Sequence, residues 1–200
     1  MLTENHNPMK NIALFTTLLL LASSAATAAS STGLLLNDDS VLLDHISNPM
    51  TLRNIELQPS YSLLYSQEPD PRNLLLSAKF ELPQKGWRFL DNHSIAPRVD
   101  LMAADFMDYF LSAVAGGIIY RRAATESYPF NILAEATLAP QLTTMGRGKF
   151  LWTFKTQLNY PITPNVELNV GYRSITMKLL NNYEDGFERG LYFGITSYYK

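Results

Sequence analysis

The sequence predicts an antiparallel, up-and-down transmembrane β-barrel of about 8 to 10 strands, behind a cleaved signal peptide. Three observations lead there. Apolar and polar residues alternate with a two-residue period in segment after segment of the second half. Phe150, Trp152, Phe154, Leu158 and Tyr160 share one face, and Lys155, Gln157 and Asn159 the other; Val166, Leu168, Val170 and Tyr172 repeat the pattern against Glu167, Asn169 and Arg173. Strand side chains point alternately to opposite faces, so each segment has one oily and one wet side. The oily sides are rich in aromatic residues, and the N-terminus reads as an export signal.

In that export segment, Lys10 precedes an apolar and small-residue run from Ile12 to Ala22, and Ala26-Thr27-Ala28 fits a small-x-small cleavage site. The expected division is 1–28 signal peptide and 29–200 barrel domain. The run is too short for a confident spanning helix, and no later segment is long and apolar enough to be one. The chain has no cysteine, so neither a lipoprotein anchor nor a disulfide framework is expected. A net charge of −2 gives no sign of a nucleic-acid partner.

The strands follow in order. Thr32 to Leu36 and Val41 to Ile46 flank the turn Asn37-Asp38-Asp39-Ser40. Both are short against the ~9–11 residues a spanning strand needs, so they form either wall or an N-terminal flap. Asn54 to Ser66 alternates cleanly, with a bulge or break expected at Pro59, which lacks a ladder donor. Leu74 to Leu82 follows. Arg98 to Phe106 and Phe110 to Arg122 are the weakest pair, because Arg98, Asp100 and Asp105 do not keep one face. A bulge would explain the slip; a buried helix over Leu101 to Val114 is the alternative. Phe130 to Leu138, Phe150 to Tyr160, Val166 to Arg173 and Leu191 to Tyr199 complete the set. Asn181 to Gly190 reads as a polar loop.

Alternation alone would also suit a soluble, lipocalin-like barrel with its apolar face inside. Three features favour lipid. Tyr61, Tyr65, Phe150, Trp152, Tyr160, Tyr172, Tyr198 and Tyr199 gather near strand ends, as an interfacial girdle requires. The closing aromatic strand, with Gly194 and Tyr199, is the kind that barrel-assembly machinery reads. Connections differ in length: Pro161 to Pro164 is short and Lys178 to Arg189 long, as expected of periplasmic turns and outer loops.

Several short stretches also resemble the YfaZ-type family of exported proteins: Leu34-Leu35-Leu36-Asn37-Asp38, Ala134-Glu135-Ala136-Thr137-Leu138-Ala139-Pro140, Val170-Gly171-Tyr172-Arg173 and Gly190-Leu191-Tyr192-Phe193-Gly194. Their order spans nearly the whole mature chain. The resemblance implies a porin-like protein of the outer membrane and brings no catalytic residues with it.

With the apolar face against lipid, Glu56, Lys79, Glu81, Arg98, Asp100, Glu135, Lys155, Glu167 and Arg173 point into the lumen. There they either pair and brace the wall or line a narrow passage for small solutes or ions. The firmer inward charges favour carboxylates slightly, so a weak cation preference is expected. A sealed structural or adhesive barrel is the other reading. Catalysis is not expected: His45 and His93 carry no nucleophile motif, and His45 faces away from Asp44. No metal site or cofactor is expected from two isolated histidines.

Overall fold

A computed structural model of the protein describes residues 30–67, 73–82, 87–90, 92–106, 109–146, 148–179 and 184–199. The expected signal peptide, 1–28, lies outside them. Ten antiparallel strands close into a barrel. They are β1 (Ser30–Leu36), β2 (Ser40–Ile46), β3 (Ile55–Ser66), β4 (Asn73–Glu81), β5 (His93–Phe106), β6 (Tyr109–Arg122), β7 (Asn131–Ala139), β8 (Gly148–Thr163), β9 (Val166–Leu179) and β10 (Glu184–Tyr199). Each pairs with its neighbours in sequence, and β1 pairs with β10 to shut the ring, from Ser30↔Tyr199 to Leu36↔Phe193. Closure leaves no sheet edge around the ring, which is what a membrane-spanning sheet needs.

The N-terminal hairpin is therefore wall and not a flap. The hairpin that follows, between β2 and β3, is longer than its two strands suggest. Residues 47–49 bulge opposite Pro59, whose carbonyl accepts from Ser47 N–H, and pairing resumes at Met50↔Leu57. The break expected at Pro59 falls on its partner strand. The hairpin turns at Arg53 and Asn54, both with positive φ (48° and 68°), the backbone of a tight two-residue turn.

The weakest sequence segment is regular. β5 and β6 pair without a shift from His93↔Arg122 to Phe106↔Tyr109, so neither a bulge nor a helix is present there. Arg98 and Asp100 both face inward, while Asp105 is exposed near the far end of its strand. A face that changes character is a strand leaving the apolar band, not a strand out of register. The expected loop over Asn181–Gly190 is also corrected: β10 begins at Glu184, and only residues 180–183 connect it to β9. A shift between Ile175 and Thr176 leaves Phe187 as the extra residue, which turns both Phe187 and Glu188 inward. Connection lengths do not follow the expected short-below, long-above scheme. Residues 82–92 and 123–130 are long connections at the end where β1 begins and β10 finishes, the terminal end, while 107–108 is short at the other end.

The faces decide the environment. Phe193, Leu191, Ile118, Ile195 and Leu168 point outward and are about half exposed or more, in a continuous apolar band. The soluble alternative, with that face turned inward, is set aside. This is the outer surface of a transmembrane barrel. Inside, the two halves differ. Toward the far end, Leu35, Leu42, Leu64, Leu75, Met102, Leu111, Leu151, Ile175, Met177 and Phe187 fill the lumen as one buried apolar cluster. Toward the terminal end the lumen is polar.

Candidate functional site: a polar cup in the lumen

The polar half of the lumen is a cup of about 480 Å³. Its lining comes from nearly every wall strand, because the period-2 pattern sends one residue in two inward. Gly33, Asp44, Ser60, Lys79, Arg98, Arg121, Glu135, Lys155, Gln157 and Thr196 are among these groups, and Arg88, Asn92 and Arg122 stand at the mouth.

Cross-strand register creates the charge pairs. Lys155 lies directly beside Glu135 on one side and Arg173 on the other, and Glu81 lies beside Arg98. The Arg98 guanidinium donates to Asp100 through Nε at 2.8 Å and reaches Glu135 Oε2 with Nη1 at 2.7 Å. Lys79 Nζ is 3.9 Å from the same Glu135 oxygen, and Lys155 Nζ is 3.6 Å from Asp44 Oδ2. Arg121 makes a bidentate pair with Glu81, and Arg173 another with Glu188 (Nε to Oε2, 2.6 Å). A buried charge without a partner would be strongly unfavourable, and these groups answer one another.

Tyr192 is the floor. It is fully buried, and its ring belongs to the apolar cluster. Its hydroxyl turns toward the cup and donates to Gln157 Oε1 at 2.9 Å, and the Arg173 guanidinium lies 5.3 Å from the ring centroid. Below this floor the lumen is polar; above it, a void of about 10 Å³ lies between Leu75, Leu111, Leu151 and Met177.

The expected lumen residues separate into groups. Lys79, Glu81, Arg98, Glu135 and Lys155 line the cup. Asp100 packs behind Arg98, and Arg173 sits beside Tyr192. Glu167 accepts from Asn131 Nδ2 at 3.0 Å and from Tyr198 Oη at 2.7 Å. Glu56 lies on the hairpin below the wall, paired with Thr51, away from the cup. Among the expected girdle residues, Tyr61 and Tyr160 are exposed on the outer face, and Tyr172 Oη accepts from Arg189 Nε at 3.0 Å. Tyr65, Phe150, Trp152 and Tyr199 are partly exposed. Tyr198 instead lines the cup and is a lumen residue.

Four participants escape the sequence reading: Asp44, Arg121, Glu188 and Tyr192. Asp44 and Glu188 were hidden because their segments read as possible flap and loop. Arg121 and Tyr192 fall on the right parity, and parity was the available signal. Their inclusion changes the charge balance. Among the described residues around the cup, Lys79, Arg88, Arg98, Arg121, Arg122 and Lys155 outnumber Asp44, Glu81 and Glu135. Adding Asp100 and Glu167 leaves the bases still in surplus. The expected carboxylate excess does not hold for the cup.

Of the described histidines, His45 lies outside the cup and His93 lines its mouth. His45 Nδ1 is 3.0 Å from Thr32 Oγ1, and His93 Nδ1 is 2.8 Å from Tyr120 Oη. Among the described residues no group of His, Cys, Asp or Glu has the arrangement of a metal site.

No protein-family model matches the chain, and no curated protein matches it. Solved structures do. A KdgM porin in complex with disordered oligogalacturonate is 11% identical, with 86% of this chain and 100% of that chain covered, at a TM-score of 0.45. A KdgM porin alone shows the same identity and coverage at 0.40. A chain from a study of the in-meso crystallization of membrane proteins is 11% identical over 86% of this chain and 83% of its own, at 0.42. The likeness carries no site residue across.

Proposed function

We propose that the chain is exported by its signal peptide and assembled into an outer membrane by the barrel-assembly machinery, with the terminal end toward the periplasm. There it acts as a porin-like conduit for small solutes, favouring anions. One observation supports this reading above the others: the cup gathers more bases than acids. Among the described residues each lining acid is already engaged by a base, and the charges of Arg88 and of Arg122, which stacks over the Tyr128 ring, stand at the mouth to attract an anion. The hydroxyls of Ser60 and Thr196 suit a solute that also carries hydroxyl groups. The four YfaZ-type stretches fall on β1, β7, β9 and β10, and membership of that family is part of the proposal.

The apolar cluster above Tyr192 is the closed gate of this conduit. Hydrophobic constrictions exclude water and ions until they widen. The refolded protein in planar bilayers should show small, infrequent, anion-selective openings. Complete silence, or a reversal potential toward cations, would overturn the proposal. A second reading has its own support. The filled far half suits a sealed barrel that binds a solute in its cup and passes nothing. Polar substitutions in the gate separate the two.

A further inference from the structure

A second cavity lies on the outside of the barrel, within the apolar band. It is a groove of about 480 Å³ across β2 to β5. Two cross-strand rows border it: Leu43↔Leu63↔Leu76↔Ala103, and His45↔Tyr61↔Ala78↔Leu101. The groove exists because Ala78 and Ala103 are small where neighbouring positions carry leucine or tyrosine. Its walls are almost wholly apolar, apart from one end.

That end holds His45. Its Nδ1 is bonded to Thr32 Oγ1, and Thr32 is paired in register with Ser197 on β10. A polar row, Ser197–Thr32–His45–Tyr61, therefore crosses a surface that is otherwise hydrocarbon-facing. An ionisable side chain inside a membrane band is unfavourable unless a partner meets it. In the tautomer in which Thr32 donates to Nδ1, Nε2 carries the proton and is a donor. His45 is one residue from the terminal end of β2, whereas Ala103 approaches the far end of β5. The groove thus runs from a polar end near the termini to an apolar end farther into the band.

We propose that this groove is a binding site for one glycerophospholipid of the leaflet on the terminal side. One acyl chain lies along Leu43, Leu76, Ala78, Leu101 and Ala103, and a glycerol-ester carbonyl accepts from His45 Nε2. The volume suits a single chain, and the polar end faces the side where that leaflet places its ester groups. The inference rests on the membrane placement proposed above but not on passage through the lumen.

Native mass spectrometry of the full barrel, refolded and released from nanodiscs of phosphatidylethanolamine and phosphatidylglycerol, tests it. Wild type should retain one phospholipid through detergent exchange. Ala78→Phe and Ala103→Phe, each filling the groove, should abolish retention. His45→Ala should reduce it about tenfold, the loss expected for a hydrogen bond in apolar surroundings. Heat-modifiable gel migration confirms that each variant is folded; should either phenylalanine variant fail that check, the other and His45→Ala carry the test. Leu191→Ala, on the opposite wall, should leave retention unchanged. No retained phospholipid in wild type, or equal retention in the folded groove variants, would overturn the site. Because the refolded protein is used, this outcome is independent of cellular location; a chain found elsewhere on membrane fractionation would sink the proposed function instead.

Discussion

Tyr192 lies across Gly171, its phenol occupying the space that any side chain at position 171 would need. A Cβ there would collide with the Thr156 carbonyl and the Tyr192 hydroxyl. Glycine at this point lets an aromatic floor divide a polar cup from an apolar cluster within one lumen.

Gly171→Leu should therefore be disruptive. It forces Tyr192 off the Gln157 amide and overfills the interior, at a cost of about 1–3 kcal/mol. A lowered urea midpoint, followed by the gel shift of the folded barrel, would register it. Gly116→Ala is the control, since open space surrounds that position; it should be close to neutral.

Arg98 holds Asp100 and Glu135 together, and neither acid has much access to water. Arg98→Met should destabilise the barrel by about 3–5 kcal/mol, because it strands the buried Asp100 carboxylate and leaves Glu135 with the more distant Lys79. Adding Asp100→Asn and Glu135→Gln should restore much of the loss. The triple variant's urea curve, set against the single variant's, measures that recovery.

Charge at the mouth should govern selectivity. Arg88→Glu with Arg122→Glu leaves the internal pairs intact and reverses the surplus around the cup. The reversal potential in a salt gradient should move toward cations. An unchanged potential would place the selective charges deeper.

Leu151→Asn with Met177→Asn should wet the gate. In a conduit, open probability rises; in a sealed barrel, bilayers stay quiet and only stability falls. Single-channel recording of this variant distinguishes the two readings directly.

The outward face should tolerate little charge. Phe193 is 64% exposed in the apolar band. Phe193→Lys should cost about 2–4 kcal/mol near the bilayer midplane. The yield of heat-modifiable barrel in vesicles is the measurement.

Much of this architecture was legible because the central parts of β8 and β9 and the second half of β10 alternate without interruption, and parity alone sends Lys155, Glu167 and Arg173 inward. It became illegible where the alternation crosses the edge of the membrane band. Asp105 read as a slip in register, although it only marks the strand's emergence. Glu188 read as loop because the bulge at Phe187 breaks parity just where the strand continues. The division of the lumen was hidden for a different reason. Inward leucines such as Leu64 and Leu75 sit beside outward leucines in the sequence, and composition cannot assign them to opposite faces.

The ring is fastened where its first strand meets its last, and that fastening has far fewer rungs than the β8–β9 ladder, which runs from Gly148↔Leu179 to Thr163↔Val166. Contacts so distant along the chain form slowly, because both extremities must be present before either can dock. This seam should be the last part of the cylinder to zip during insertion and the first to part under heat, so a staple across Gly33 and Thr196 would do more for its endurance than any improvement to the interior.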